Sequence, residues 1–226
     1  MPGKVELFYD FSCPYAYLGH TQIEALCAEE GAELIWKPFL LGGVFKAVGF
    51  TGASMSPAKA KNNLRDMHRW ADHFGVPLHM PPTHPNRTVL ALRATLAAGV
   101  GVGAAAAASD RDLVAATKAI YRAYWVEARD VSDPGVLRAA LDGAGLDGAA
   151  LLVAAESEAV KIDLRARTDE AIAAEVFGAP TFLVHAGDGA PQLFWGQDRL
   201  EFVRKALRGW RPRLPDTPSG PAAGQA

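Results

Sequence analysis

Strand-forming sequence is confined to the two ends of this chain, and what lies between reads as helix. At the start, Val5-Glu6-Leu7-Phe8-Tyr9 is a short apolar run with the length of a buried strand. An amphipathic run with helical spacing follows, through Leu18, Ile23, Leu26 and Cys27, over about residues 14–30. Gly31 stops it, and Glu33-Leu34-Ile35-Trp36-Lys37 is a second strand closed by Pro38. Strand, helix and strand at this spacing predict a βαβ unit with a right-handed crossover. At the far end, residues 179–185 and 192–195 flank Ala-Gly-Asp-Gly-Ala, the pattern of a hairpin, and a helix follows from about Arg199 to Arg208.

The middle reads differently. Residues 41–52 form a glycine-bearing loop. Helical patterns then run from Ser56-Pro57 to His73, Asn86 to Ala98, Asp110 to Ala128, Asp133-Pro134 to about Ala144, and Asp147 to Glu175. The chain therefore predicts an α/β protein, a thioredoxin fold with a large all-helical insertion. A discontinuous thioredoxin-like domain takes 1–40 and 175–211, the helical insertion 41–174, and a disordered Pro-rich tail 212–226. With 226 residues, half of them hydrophobic, the chain can bury a sizeable core.

Charge excludes some partners. The formal net charge of −2 and the absence of a basic stripe give no support for nucleic acid. Lys59, Lys61, Arg65 and Arg69 read as one solvated helix face. No apolar run reaches membrane-spanning length, and the N-terminus has no signal-peptide core, so a reducing cytoplasm is the expected compartment. The two cysteines, Cys13 and Cys27, give neither a disulfide framework nor zinc spacing, and no metal is expected.

Chemistry-bearing residues gather where strands meet helices. Cys13 precedes Pro14 at the start of the first helix, where free N–H groups and the helix dipole are expected to stabilise a thiolate. The plainer reading is a small apolar filler. Position 16 is Ala, so no Cys-x-x-Cys pair exists. Ser12 can cap the helix or donate a hydroxyl, and Cys27 reads as core. Ala179-Pro180 stands at the mouth of a returning strand. A cis bond there would leave the Ala179 backbone free to pair with an extended ligand, and an ordinary trans-Pro strand start is the alternative. Gln197 and Asp198 open the last helix, either as plain caps or as a site for an α-amino or carboxylate group. Lys46 can pair with a ligand carboxylate or simply be solvated. Asn86 and Arg87 can face an acidic substrate or cap and decorate a helix. The six histidines show no metal spacing, and Trp36, Trp70, Trp125 and Trp195 read as core.

Four segments in order carry a family resemblance: Tyr9-Asp10-Phe11-Ser12-Cys13-Pro14-Tyr15-Ala16-Tyr17-Leu18, residues 38–46 from Pro38 to Lys46, Val176-Phe177-Gly178-Ala179-Pro180-Thr181-Phe182, and residues 194–200 from Phe194 to Leu200. The chain resembles the 2-hydroxychromene-2-carboxylate isomerases and kappa-class glutathione transferases, glutathione-using relatives of the disulfide oxidoreductase DsbA. The resemblance runs to about Gly209 and implies a glutathione site. Cys13 stands where the isomerases usually have a catalytic Ser. Ala179, beside cis-Pro180, would pair with the cysteinyl part, Gln197 and Asp198 would hold the γ-glutamyl end, and Lys46 the glycyl carboxylate. Two departures are Cys13 for Ser, with Ser12 one place earlier, and Gly49-Phe50 where the family often has Asn.

The resemblance implies a glutathione-dependent isomerase or transferase, an aromatic or unsaturated carboxylate as substrate class, and a homodimer. A monothiol oxidoreductase using Cys13, and a non-catalytic thioredoxin-fold binding protein, are the alternatives.

Overall fold

The computed structural model describes residues 2–49, 56–100 and 110–213. β1 (Lys4–Tyr9), α1 (Pro14–Glu29) and β2 (Glu33–Pro38) form the expected βαβ unit, with β1 and β2 parallel and Leu7 opposite Trp36. β3 (Thr181–His185) returns antiparallel to β1, and β4 (Gln192–Trp195) antiparallel to β3, giving the sheet order β2-β1-β3-β4. Central β1 is buried from Val5 to Tyr9, as a strand covered on both faces must be. A short 3₁₀ turn (Gln197–Arg199) leads into α9 (Leu200–Leu207).

Between Pro38 and Thr181 the described residues contain no strand. They form α2 (Leu41–Ala47), α3 (Pro57–Phe74), α4 (Val89–Val100), α5 (Asp110–Tyr121), a π-helical turn (Arg122–Val126), α6 (Pro134–Gly143), α7 (Gly148–Ala155) and α8 (Glu158–Ala173). The caps follow the sequence. Ser56, Asp133, Asp147 and Ser157 each accept a backbone N–H at a helix start, and Gly75 ends α3 in the left-handed region at φ 66°.

Three local expectations change. Residues 41–47, expected as loop, are helical. The Leu41 N–H donates to the buried Asp10 carboxylate at 2.9 Å, and a Cβ on Gly43 would lie 2.9 Å from the Thr168 methyl. Tertiary contact thus overrides the weak helix propensity of paired glycines. The helix expected from Asn86 begins at Val89, because Asn86 and Thr88 are drawn out by bonds to Tyr124, Asp130 and Asp10. The helix expected over 147–175 is broken at Ser157, which caps the second half. Residues 50–52 and, past Arg213, the expected tail lie outside the described residues.

The helical segment is joined to the sheet by aromatic side chains. The Tyr9 hydroxyl on β1 meets Thr117 Oγ1 on α5 at 2.6 Å, and the Trp125 indole N–H donates to Phe11 O at 2.8 Å. Phe11 and Tyr121 meet edge to face with centroids 4.9 Å apart. Such contacts stabilise beyond the area they bury. They fix the helical layer against the turn that carries Cys13.

Candidate functional site

β1 ends at Tyr9, the chain turns through Asp10–Cys13, and α1 starts at Pro14. The turn closes with Cys13 N–H donating to Asp10 O at 3.2 Å. Cys13 is the helix cap, with extended backbone (φ −93°, ψ 114°), and its carbonyl accepts from Ala16 and Tyr17 N–H. Proline at the first helical position forfeits only an N–H that has no partner there.

The Cys13 Sγ reaches across to the segment just before β3 and donates to Ala179 O at 2.9 Å. The Ala179-Pro180 peptide bond is cis. Pro180 O accepts from Gly196 N–H at 2.9 Å, so the turn before β3 and the turn after β4 are tied together. Gly19 on α1 allows the close approach: a Cβ there would sit 3.2 Å from both Pro180 and Phe182.

The expected lowering of the Cys13 thiol is overturned. Burial pushes it up to about 12. The N–H groups of Ala16 and Tyr15 pull the other way without prevailing, and the Asp10 charge pushes it further up. A half-buried residue whose thiol turns inward onto a carbonyl gains less from a helix end than it loses in hydration.

Beside this junction lies a groove of about 220 Å³. Ala179, Gln197 and Asp198 line one part of it, and Tyr15, Asp66 and Trp70 another. The Tyr15 hydroxyl donates to Asp66 Oδ2 at 3.4 Å, joining α1 to α3. Gln197 is buried, whereas Asp198 is exposed enough to pair with Arg199 at 2.5 Å. Trp195, 51% exposed, stands over the same groove. Trp195 is therefore a rim residue and not the core residue expected; Trp70 lines the groove while packing half-buried against the core, and Trp36 and Trp125 are buried.

The other sequence candidates fall elsewhere. The Ser12 hydroxyl and N–H both donate to Asp10 Oδ1, at 3.0 and 2.9 Å, so that hydroxyl faces inward. Lys46 is exposed in the last turn of α2 and does not line the groove. Asn86 is buried, with its amide donating to Asp130 at 2.7 Å. Arg87 borders a separate cavity with Arg93, Ser132 and Glu156. Phe50 lies outside the described residues. Among the described residues no cluster of three or more His, Cys, Asp or Glu could hold a metal, and no helix is long and apolar enough to cross a membrane.

Sequence reasoning missed Asp10, Tyr15, Asp66 and Trp70. Asp10 had a signal, a lone carboxylate between aromatic residues at a strand end. Asp66 had none, since it lies among charged residues that read as a solvated face until α3 is placed beside α1.

Residues 4–208 match the DSBA-like thioredoxin domain model, and the chain belongs to that family. It is 27% identical over 225 residues to human glutathione S-transferase kappa 1, covering 95% of this chain and 96% of the relative. It is 29% identical over 210 residues to 2-hydroxychromene-2-carboxylate isomerase of Sphingobium xenophagum, covering 92% and 99%. A solved 2-hydroxychromene-2-carboxylate isomerase superimposes with a TM-score of 0.76 at 24% identity, over 91% of this chain and 95% of that one. The last comparison establishes the fold, the thioredoxin fold with its helical insertion.

Proposed function

We propose that the protein is a glutathione-dependent isomerase or transferase, with glutathione lying along the groove between Ala179, Gln197 and Asp198. The observation that carries this reading is the placement of the Cys13 thiol on Ala179 O, at the end of a groove whose other wall is a polar helix start. Extended peptides pair with free strand backbone, and glutathione is such a peptide with a thiol at its centre. Kinship over nearly the whole length with enzymes named for glutathione transfer and chromene-carboxylate isomerisation supports the same choice.

In this reading Ala179, beside Pro180, pairs with the cysteinyl residue. Gln197 and Asp198 receive the γ-glutamyl end. Cys13 turns its S–H from Ala179 O toward the glutathione sulfur and donates to it. A hydrogen bond to the charged form favours the thiolate. The thiolate adds to an electrophilic carbon of an aromatic or unsaturated carboxylate. A C–S bond forms, and the displaced π pair moves onto the conjugated carbonyl. Rotation about the new single bond and return of the electron pair expel the thiolate and give the isomer. Protonation of the adduct instead leaves a conjugate.

The raised thiol of Cys13 speaks against a monothiol oxidoreductase, since attack on a disulfide needs the thiolate. The test is calorimetric and kinetic. Glutathione at 10 mM should raise the melting temperature, and a chromene carboxylate should turn over only when glutathione is present. Absence of both effects overturns the proposal.

A further inference from the structure

Asp10 is 1% exposed and has four hydrogen-bond donors around it. Its Oδ1 accepts from Ser12 N–H at 2.9 Å, Ser12 Oγ at 3.0 Å and Thr88 Oγ1 at 2.8 Å, and its Oδ2 accepts from Leu41 N–H at 2.9 Å. A carboxylate has about four acceptor positions. Two of these donors are backbone N–H groups that cannot turn round to accept. The arrangement specifies the ionised form, although burial opposes it and holds the carboxyl above its ordinary range. These bonds join the β1–α1 turn, the start of α2 and the segment before α4, three separate parts of the chain. The same turn carries Cys13, whose N–H rests on Asp10 O.

We infer that Asp10 is a positioning residue for the candidate site: its buried carboxylate anchors the Cys13 turn, and its negative charge adds to burial in keeping Cys13 neutral, so that residue 13 serves as a hydrogen-bond donor and not a nucleophile. A negative charge within the same tight turn disfavours a second one on sulfur. The other titratable groups that feel Asp10 are the phenols of Tyr9, Tyr121 and Tyr124. All three are pushed up by burial and stay neutral, so none screens that charge. Burial and this charge together account for a cysteine at a helix start that is not activated.

The inference deepens the glutathione reading, and its test is independent of it. In a Cys27→Ala background, the rate at which iodoacetamide alkylates Cys13 is followed from pH 7 to 10. Asp10→Asn removes the charge and keeps the shape. Alkylation at pH 8.5 should rise about two- to threefold, since burial still holds the thiol up and thiolate population changes tenfold per pKa unit. A loss of fold is excluded where circular dichroism stays native across that range. An unchanged profile in a folded Asp10→Asn protein overturns the inference. Where Asp10→Asn does not fold, Asp10→Ser removes the charge and leaves a hydroxyl oxygen that can still accept from these donors. The same rise in alkylation is expected, and an unchanged or slower rate overturns the inference. Alkylation needs no glutathione, so failure here leaves the glutathione reading standing. Failure of glutathione to bind leaves the role of Asp10 intact.

Discussion

The Cys13 thiol and the Ala179 carbonyl, 166 residues apart in the chain, meet at 2.9 Å across the junction of α1 and β3. That contact shows which way the thiol points and where a second sulfur would have to sit. If Cys13 acts as donor, Cys13→Ser keeps the function and Cys13→Ala removes it. A hydrogen bond to a charged group contributes about 1.5–3 kcal/mol, so Cys13→Ala should lower kcat/KM roughly 10- to 150-fold. Cys13→Ser should stay within about tenfold of the parent, measured on a chromene carboxylate with glutathione. A Ser variant as inactive as the Ala variant would make Cys13 the nucleophile.

Binding is tested separately at Asp198. A ligand held by the folded state alone raises its stability by RT ln(1 + [L]/Kd). At 10–100 times Kd this is about 1.4–2.7 kcal/mol, or roughly 3–10 °C for a chain of this size. Asp198→Asn removes the charge expected to meet the γ-glutamyl amino group. The glutathione-induced shift should fall by more than half. The unliganded protein should melt within about 2 °C of the parent, since the exposed Asp198–Arg199 pair contributes little. Differential scanning fluorimetry with and without glutathione reads both.

The architecture was legible because each strand and cap leaves a local mark. Gly31, Pro38 and the turn of glycines before Gln192 punctuate strands whose apolar runs are unbroken. The site was legible only in part. Cys13, Ala179 and Asp198 lie at element junctions, where sequence marks chemistry. Trp195 looked like core because a lone Trp carries no sign of which side faces water. The Cys13 thiol was misjudged because the helix dipole is a local property, whereas burial by the helical layer is a tertiary one. The Leu41–Ala47 helix was missed for the same reason: its anchor is Asp10, thirty-one residues away.

Gly178 controls the rim of the groove. A Cβ at this position would come 2.5 Å from Trp195 Nε1 and 3.1–3.2 Å from two ring carbons. The indole is 51% exposed and can swing outward, so Gly178→Ala should leave the melting temperature nearly unchanged. The displaced ring should alter glutathione affinity several-fold and change the Trp emission maximum. Titration of Trp fluorescence with glutathione measures both, and an unaltered spectrum would place Trp195 elsewhere.

His20 sets an acid limit on stability. It is buried against Tyr121, with centroids 4.4 Å apart and planes 18° from parallel, and its Nδ1 bonds to Tyr17 O. Burial lowers its pKa to about 4; the bond to Tyr17 opposes this, and Lys118 adds a small further lowering. In the unfolded chain the imidazole titrates near its ordinary value of about 6.5. Between those two values the unfolded chain binds a proton that the folded chain does not, so stability falls as the pH falls and levels off below about 4. The whole effect is on the order of 3 kcal/mol. Buried carboxylates also respond to acid, so the measurement is a comparison. Urea unfolding of the parent and of His20→Phe, at pH 7.5 and pH 5, should show the parent losing about 2 kcal/mol more than the variant. Equal losses would mean that His20 is solvated in the native state and that its stacking on Tyr121 does not keep it neutral.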